Sequence, residues 1–545
     1  MNNSKNSLIW LPLAIAVSVV IGILVGNRFS NQNYISENDR KLNTILNLIS
    51  EDYVDTVNIN SLIENSIPSI LSNLDPHTVY IPAKDLTAIN EELTGSFFGI
   101  GISFTIMKDS ITVMEVLSGG PSEKVGLQAG DRIVTVNDSV MVGPKLTSDA
   151  VTSMLKGAKG TPVKLGIKKN NSRRILKYEI KRGEIPVNSV DASYMADKTT
   201  GYIKVNKFGK TTYDEFINGL AKLKQKGAKR YIIDLRGNGG GFMEPAVLMA
   251  NEFLPENNLI VYTKGREKKN DSHFWSDGNG SFQDAELTVL IDEYSASASE
   301  IFAGAIQDND RGLIIGRRSF GKGLVQNQIS LPDSSAIRLT VARYYTPSGR
   351  CIQKNFKRGD EYAYTQDIMN RYNHGEFYNR DSIRVDENQV FETSNGRKVY
   401  GGGGIIPDIF VPSDTSGITS YYVNAMNAGL FHKFAFQYTD INREAFNKMK
   451  DYNEFLKALP SDDMLLSDFV SFVSQHKIPA RWYYINQSRK LIITQLKALI
   501  ARDIFGTEAF YSIYNKSDKN IDAALKAFKN KKAEFPITPD VKGKK

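Results

Sequence analysis

Three serines precede a predicted helix, and a lysine between two glycines follows that helix along the chain. Ser295, Ser297 and Ser299 alternate with alanines before an apolar pattern at helical spacing, so one serine is expected at the helix start, beside unpaired backbone N–H groups. Lys322 lies 25 positions after Ser297, and Gln326 follows it. A serine hydroxyl is a weak nucleophile until a base removes its proton, and a neutral lysine can be that base.

Lys322 can act as a base only if its pKa lies well below the usual value of about 10.4. Burial favours the neutral amine, and a lysine between glycines can be packed closely by neighbouring backbone. Gln326 could then accept a hydrogen bond from the amine and fix its direction. The spacing alone leaves an ordinary structural interpretation open, because small residues at helix starts and lysines in loops are common.

A glycine-rich loop that follows a predicted strand is a second candidate element. The strand, residues 231–235, runs into Arg-Gly-Asn-Gly-Gly-Gly at residues 236–241. A strand that ends in glycines before an apolar helix is also typical of a dinucleotide site. The spacing here is not G-x-G-x-x-G, so we reject a dinucleotide site.

These motifs resemble those of a known family. The sequence SASASEIFAGAIQD followed by SFGKGLVQ is similar to the signature of the carboxyl-terminal processing peptidases, the tail-specific serine proteases of peptidase family S41. The resemblance extends over about residues 36–412. It implies a Ser/Lys dyad in which Ser297 is the nucleophile, Lys322 is the general base and Gln326 orients the base.

The glycine-rich loop has a role in the same resemblance. It aligns with the family's D-L-R-x-N-x-G-G element and implies an oxyanion hole formed by the N–H groups of Ala298 and Gly240, with Gly241 as the alternative to Gly240. No metal or organic cofactor is implied. The single cysteine, Cys351, excludes an internal disulfide, and five scattered histidines give no support to a zinc site.

Residues 94–182 carry a strand-rich pattern that resembles a PDZ domain, a reader of peptide C-termini. Successive N–H groups of its carboxylate-binding loop are expected to hold a terminal carboxylate. That loop consists of Phe98, Gly99, Ile100 and Gly101. A helix predicted at residues 147–155 would form the other wall of the groove, with Val151 and Leu155 facing the peptide. A plain hairpin would also explain the glycines, but the following sequence GLQAGDRI favours the PDZ interpretation.

The predicted fold class is a multidomain α/β protein. Helical periodicity indicates an N-terminal helical region at residues 31–93, in which His77 follows Asp-Pro and is interpreted as a turn residue. Alternating strands and helices at residues 183–412 predict an α/β core. The resemblance implies that this is the protease core, with the layered α/β fold of the crotonases and Clp proteases. A polar inserted segment (residues 351–401) interrupts the core pattern. Residues 413–545 are predicted to be a helical region.

Charge and hydropathy restrict the partners and the compartment. The net charge is +8 and the pI about 9.0, but basic and acidic residues are interspersed, so nucleic acid is not an expected partner. Residues 8–26 form an uncharged run of 19, close to the length that spans a bilayer. Residues 1–30 are therefore predicted to be a membrane anchor, with a cleaved signal peptide as the alternative. The resemblance places the catalytic part in the periplasm or extracytoplasmic space.

The sequence thus predicts a membrane-anchored serine endopeptidase that recognises a polypeptide C-terminus through its PDZ domain and cleaves nearby. The expected partners are proteins or peptides with free C-termini, with an adaptor lipoprotein and a second copy of the chain as further candidates. Two alternatives belong to other classes. One is a catalytically silent PDZ scaffold that gathers C-termini, and the other is an acyl-transfer enzyme of the crotonase type that uses the glycine amides without a nucleophile.

Overall fold

A computed structural model gives the structure of the protein and describes residues 16, 18 and 37–530, apart from 108–109, 118, 144 and 170–173. The chain divides into two compact units, Met1–Asn73 and Leu74–Lys545. In the part of the chain that is described, no helix combines the length and the apolar character needed to cross a membrane. The predicted span at residues 8–26 lies outside the described residues except for Ala16 and Ser18.

The first unit is helical, as the periodicity of its sequence predicts. Its described helices are α1 (Glu37–Asp52) and α2 (Ile59–Leu71). Asn58 caps α2, because its side chain accepts a hydrogen bond from the N–H of Ser61 at 3.1 Å.

The second unit begins with β1 (Val79–Ile81), α3 (Ala83–Thr94) and β2 (Ser96–Gly99), and an antiparallel domain follows. The elements of this domain are β3 (Ile102–Met107), β4 (Ser110–Val116), α4 (Pro121–Lys124), β5 (Arg132–Val136), β6 (Ser139–Val140), α5 (Ser148–Leu155), β7 (Pro162–Lys168) and β8 (Ile175–Lys181). Its sheet has the order β3-β4-β5-β7-β8, with β6 beside β5, so β3 is an edge strand. The chain leaves through β9 (Gly183–Pro186), which pairs with β2 and joins the entry of the domain to its exit.

The core predicted at residues 183–412 alternates strands and helices, as expected. Its elements are β10 (Val190–Met195), β11 (Thr200–Val205), α6 (Thr212–Gln225), β12 (Arg230–Asp234), α7 (Met243–Asn251), β13 (Leu259–Gly265), β14 (Ser272–Trp275), β15 (Glu286–Ile291), α8 (Ala298–Asp308), β16 (Leu313–Gly316), β17 (Leu324–Ser330) and β18 (Ala336–Tyr345), with a 3₁₀ turn at Lys268–Asn270. The central strands β11, β12, β15 and β16 are parallel neighbours. Most of their residues are apolar and buried, because helices cover the sheet and exclude water from it.

The rest of the chain supplies the inserted segment and the C-terminal helices. The inserted segment contains α9 (Glu361–Thr365), α10 (Asp367–Asn373), a 3₁₀ turn at Arg380–Ser382, β19 (Val390–Glu392) and β20 (Lys398–Tyr400). After β21 (Ile409–Phe410) the helices are α11 (Ser420–Asn427), α12 (Leu430–Phe446), α13 (Tyr452–Ala458), α14 (Asp462–Gln475), α15 (Trp482–Phe505), α16 (Thr507–Tyr514) and α17 (Lys519–Lys529), with a 3₁₀ turn at Asn515–Ser517. Most of these helices share an apolar core of their own, while α17 packs against the core sheet.

Two sheets of the core position the candidate site. The first sheet has the order β10-β11-β12-β15-β16-β21 and is parallel apart from β10, which pairs antiparallel with β11. The loops after β12, β15 and β16 meet at the carboxyl edge of its parallel strands. A second, antiparallel sheet has the order β1-β18-β13-β14, with β17 beside β18. Because β1 pairs with β18, the Asp-Pro-His-Thr turn before β1 lies against the strands that follow Lys322.

Candidate active site

The three serines of the nucleophile turn (residues 295–299) have different environments. The Ser295 hydroxyl donates to the Leu235 carbonyl and the Ser299 hydroxyl to the Asn238 carbonyl, both at 2.9 Å, and both serines are fully buried. These two hydroxyls attach the turn to the glycine-rich loop. Ser297 is partly exposed, so its hydroxyl is the one that a substrate can reach.

Ser297 also has an unusual backbone. Its φ is 57° and its ψ is −115°, a combination that is costly for a residue with a side chain and is often found at functional sites. Gly240 packs directly against it: a Cβ atom on Gly240 would lie 2.7 Å from the Ser297 Cβ, and the φ of Gly240 is 102°. Only glycine fits at position 240, because any side chain there would clash with the serine.

Glu300 connects the nucleophile turn to the base loop (residues 319–323). It is completely buried, and its Oε2 accepts hydrogen bonds from the backbone N–H groups of Ser297 and Lys322, both at 2.9 Å. Its Oε1 accepts from the Gly321 N–H at 2.7 Å and from the Ser319 hydroxyl. Burial raises the pKa of Glu300 from 4.5 to about 7, against the effect of these donors. One carboxylate therefore fixes the distance between the two candidate catalytic backbones.

Tyr344 connects the same two residues on their carbonyl side. Its hydroxyl is 3.1 Å from the Ser297 carbonyl and also contacts the Lys322 carbonyl, and the residue is 1% exposed. Because a hydroxyl has a single hydrogen, the two carbonyls share it. Sequence reasoning missed both Glu300 and Tyr344. The Ser-x-x-Glu spacing of a capping box was an available signal for Glu300, whereas Tyr344 gave no local signal.

The side chain of Lys322 points to Gln326, as predicted. The Lys322 Nζ donates to the Gln326 Oε1 at 3.1 Å, and the Gln326 Nε2 donates to the backbone carbonyl of His77. Burial lowers the pKa of Lys322, and the positive charge of Arg338 lowers it further. Among the described residues no hydrogen bond joins the Ser297 hydroxyl to the Lys322 amine. Such contacts are often longer before a substrate binds.

His77 is uncharged in this environment. Burial and the charge of Lys322 lower the pKa of its imidazole to about 4. The Asp75 carboxylate accepts a hydrogen bond from the backbone N–H of His77 at 2.9 Å and thereby stabilises the predicted turn. These surroundings are those of a structural residue, as interpreted from the sequence. The sequence did not indicate that the His77 backbone carbonyl accepts a hydrogen bond from Gln326.

The two N–H groups predicted to form the oxyanion hole differ in whether they are already hydrogen-bonded. Among the described residues no acceptor is bonded to the Ala298 N–H, which lies in the first turn of α8, where backbone N–H groups are free. The Gly240 N–H donates to the Asn238 Oδ1 at 2.9 Å. The prediction that Gly240 supplies a free donor is therefore wrong for this structure. The Gly241 N–H has no acceptor within the described chain.

The predicted carboxylate-binding loop of the PDZ domain is only partly as expected. Phe98 and Gly99 lie in β2 and pair with Glu184 and Gly183 of β9. The carbonyls of Ile100 and Gly101 accept from Ser122 and Leu117, both at 3.0 Å. In the described chain neither Ile100 nor Gly101 donates its N–H to a protein acceptor.

The helix predicted as the other wall of the peptide groove is present, but its apolar residues do not face a groove. Thr147 caps α5, whose range agrees with the predicted helix, but Val151 is 0% exposed and Leu155 is 4% exposed. Both side chains fill the core of the domain. The prediction that Val151 and Leu155 face a peptide is therefore wrong for this structure, because helical periodicity identifies an apolar face without showing what covers it.

Over the described ranges, no group of three or more His, Cys, Asp or Glu side chains is arranged to hold a metal ion. Cys351, the single cysteine, is a free thiol whose pKa is raised by burial.

Three regions of the chain match known protein families. The model of peptidase family S41 matches residues 199–361, the PDZ-domain model matches residues 99–180, and residues 421–506 match the family of unknown function DUF8443. The chain is 33% identical over 352 residues to the carboxy-terminal processing protease CtpA of Bacillus subtilis, covering 64% of this chain and 74% of that protein. It is 37% identical over 314 residues to a carboxy-terminal-processing protease of Bartonella bacilliformis, covering 57% and 71%. The solved structure of a photosystem II D1 C-terminal processing protease aligns at 24% identity with a TM-score of 0.34, covering 67% of this chain and 91% of that one.

Proposed function

Because the chain belongs to the carboxy-terminal processing serine proteases of peptidase family S41, we propose that it hydrolyses polypeptides with Ser297 as nucleophile and Lys322 as general base. One observation carries this assignment: Glu300 and Tyr344 each bond to the backbones of both residues. The exposure of Ser297, between two serines whose hydroxyls are engaged, supports it further.

The proposed reaction begins with a neutral Lys322. Its amine takes the proton of the Ser297 hydroxyl as the Oγ attacks the scissile carbonyl, and the resulting ammonium gives that proton to the leaving amine. Water then attacks the acyl-enzyme, with Lys322 as base again, and releases Ser297. Gln326 holds the amine through its Oε1, so that the nitrogen lone pair can point toward the serine.

The tetrahedral intermediate carries a negative charge on the former carbonyl oxygen. We assign one stabilising donor to the N–H of Ala298, at the positive end of α8. The second donor is assigned to Gly241, since the Gly240 N–H is bonded to Asn238. Each such donor is worth about 3 to 4 kcal/mol of transition-state stabilisation in other proteases.

Substrate recognition is proposed to use the PDZ domain. The N–H groups of Ile100 and Gly101 would hold the terminal carboxylate, and the last residues of the substrate would pair with the edge strand β3. A polypeptide captured in this way is delivered to Ser297 within the same chain. The substrate class is therefore proteins or peptides with a free C-terminus.

The location of the enzyme is proposed from the sequence. The uncharged run at residues 8–26 has the length of a single membrane span, so we propose a single-pass anchor with the catalytic part on the extracytoplasmic side, the periplasm in a bacterium with two membranes. An adaptor lipoprotein and self-association are compatible with this arrangement. Extraction of the full chain from membranes with detergent but not with carbonate would support the anchor, and release by carbonate would contradict it.

The activity is tested by incubating the full chain with a library of proteins and peptides that carry free C-termini and sequencing the products. Ser297→Ala serves as the matched blank. New cleavage products that require Ser297 are expected. Binding of C-termini without any cleavage would favour the catalytically silent PDZ scaffold instead.

A further inference from the structure

The inserted segment (residues 351–401), for which the sequence suggests no role, packs directly against the base loop. Arg371 donates from its guanidinium to the carbonyl of Arg318 at 2.7 Å and to that of Ser319 at 3.0 Å. Glu376 pairs with Arg371 at 2.8 Å and with Arg318 at 2.6 Å, and all three side chains are largely shielded from solvent. The chain leading into Lys322 is therefore held by a shielded cluster in which two arginines share one carboxylate.

Backbone contacts continue along the base loop. The Lys354 N–H donates to the Gly321 carbonyl at 2.9 Å, and the Gln353 side-chain oxygen accepts from the Gly323 N–H at 2.8 Å. Both glycines that flank Lys322 are thus bonded to the inserted segment, whereas the Lys322 N–H itself is bonded to Glu300. The segment fixes the loop on each side of the base.

Tyr364 of the inserted segment reaches the base by a different route. It is 6% exposed, and its hydroxyl lies 2.8 Å from the Nε2 of His77. The rings of Tyr364 and His77 pack edge to face, with centroids 5.2 Å apart. His77 holds the Gln326 Nε2 through its backbone carbonyl, and Gln326 holds the Lys322 amine through its Oε1.

The ring of Tyr364 is itself fixed. The Lys354 ammonium lies 3.9 Å from the centroid of Phe320 and 4.1 Å from that of Tyr364, and it pairs with Asp367 at 3.0 Å. A cation between two aromatic faces holds both rings in place. Phe320 belongs to the base loop, so this contact ties Tyr364 to the loop a second time.

We propose that the inserted segment is a positioning device for the general base, and that Tyr364 and His77 are positioning residues that fix the direction of the Gln326 amide. An amide can present either its oxygen or its nitrogen, and only the oxygen can accept from the Lys322 amine. Anchoring the nitrogen to the His77 carbonyl selects the productive orientation. The inference rests on the proposed roles of Ser297 and Lys322.

The test compares Tyr364→Phe with Tyr362→Phe in the full chain. Tyr362 lies on the same short helix, α9, but is 76% exposed, so it is a matched control for the loss of one hydroxyl. Tyr364→Phe is expected to lower kcat by about 3-fold to about 30-fold and to leave KM within about 2-fold, because misorientation affects the proton transfer and not binding. Tyr362→Phe is expected to match the wild type.

A second readout separates positioning from general stability. The charged or titratable groups around Lys322 and His77 are Glu300, Asp75, Arg338, Lys354 and Tyr344, besides Tyr364 itself, and Tyr364→Phe removes no charged group. Loss of the Gln326 oxygen removes an acceptor that favours the ammonium, so the midpoint of the rising limb of the pH–kcat profile is expected to move to lower pH. His77→Ala keeps the backbone carbonyl but loses the tyrosine contact, so it should give the same shift.

The two variants should also be non-additive. Tyr364→Phe combined with His77→Ala is expected to lower kcat no further than the stronger single variant, because both break one contact. If Tyr364→Phe does not fold, as judged by thermal unfolding, His77→Ala is decisive alone. Folded variants with wild-type kcat and pH profile would overturn the positioning role, and so would fully additive losses. Activity in Ser297→Ala would instead overturn the proposed function.

Discussion

The backbones of Ser297 and Lys322 differ from the carboxylate-binding loop of the PDZ domain in how completely their polar groups are bonded. The backbones of Ser297 and Lys322 are fixed on the N–H side by Glu300 and on the carbonyl side by Tyr344. Ile100 and Gly101 have bonded carbonyls but N–H groups without a protein acceptor in the described chain. A site that performs chemistry needs its geometry set in advance, whereas a site that binds a strand needs groups that the ligand completes.

The largest expected effect comes from removing either proposed catalytic side chain. Ser297→Ala and Lys322→Ala should each lower kcat by about a thousand-fold or more without unfolding the protein, and the double variant should be no worse, since the two residues act as a unit. Peptide-bond hydrolysis is measured with a cleaved substrate, and folding by thermal unfolding.

Ser299→Ala is the matched control for this prediction. It removes a hydroxyl from the same turn but only its bond to the Asn238 carbonyl, so a loss of about 1 kcal/mol of stability with most of the activity retained is expected. Appreciable hydrolysis by Ser297→Ala, or an equal loss of activity in Ser299→Ala, would contradict the assignment of the nucleophile.

Two local features of this region could be predicted from the sequence: Ser297 lies at the start of a helix, and Gln326, four positions after Lys322, accepts from its amine. The pairing of Ser297 with Lys322 was predicted only from the resemblance to the family signature, because a spacing of 25 positions does not bring two residues together. Tyr344 and His77 were not assigned a part in the site because they reach it through the pairing of β1, β17 and β18, which no local pattern encodes. The prediction for Val151 failed for a related reason, because what a side chain packs against depends on distant parts of the chain. The prediction for Gly240 failed for a local reason: its N–H is bonded to the side-chain oxygen of Asn238, two positions earlier, and the glycine pattern does not show this.

A smaller effect is expected from Glu300→Gln, which weakens the connection between the nucleophile turn and the base loop. The amide oxygen can replace only part of the acceptor capacity of a carboxylate that binds four donors. We expect a loss of about 1 to 3 kcal/mol of stability and a lower kcat. Urea unfolding and steady-state kinetics measure the two effects.

Glu300 also predicts a pH dependence of stability. Its pKa is raised from 4.5 to about 7 on folding, so the folded state binds more protons between these values. The resulting stabilisation is complete below about pH 4.5 and is lost as the pH rises through about 7. The free energy of unfolding should fall less steeply over this window in Glu300→Gln, and an identical slope in both proteins would show that Glu300 does not titrate there.

An effect of similar size is expected in the PDZ domain, where the charge of the ligand's carboxylate is removed rather than a protein group. Amidating the C-terminus of a bound peptide should weaken binding by about 1.5 kcal/mol and at most about 3 kcal/mol, because charge-assisted bonds to Ile100 and Gly101 are lost. Calorimetric titration of the full-length Ser297→Ala variant with paired acid and amide peptides measures the difference. Equal affinities would show that this loop does not read carboxylates.

The central proposal is that a buried, neutral Lys322 activates Ser297. The most direct test measures, as a function of pH, the rate at which a fluorophosphonate probe labels Ser297. Burial lowers the pKa of Lys322, so the labelling rate should rise with pH through one ionisation whose midpoint lies below the usual lysine value of about 10.4. Lys322→Ala should abolish the rise. A rate that does not depend on pH, or one governed by a group near about 6.5 that disappears in His77→Ala, would contradict the account.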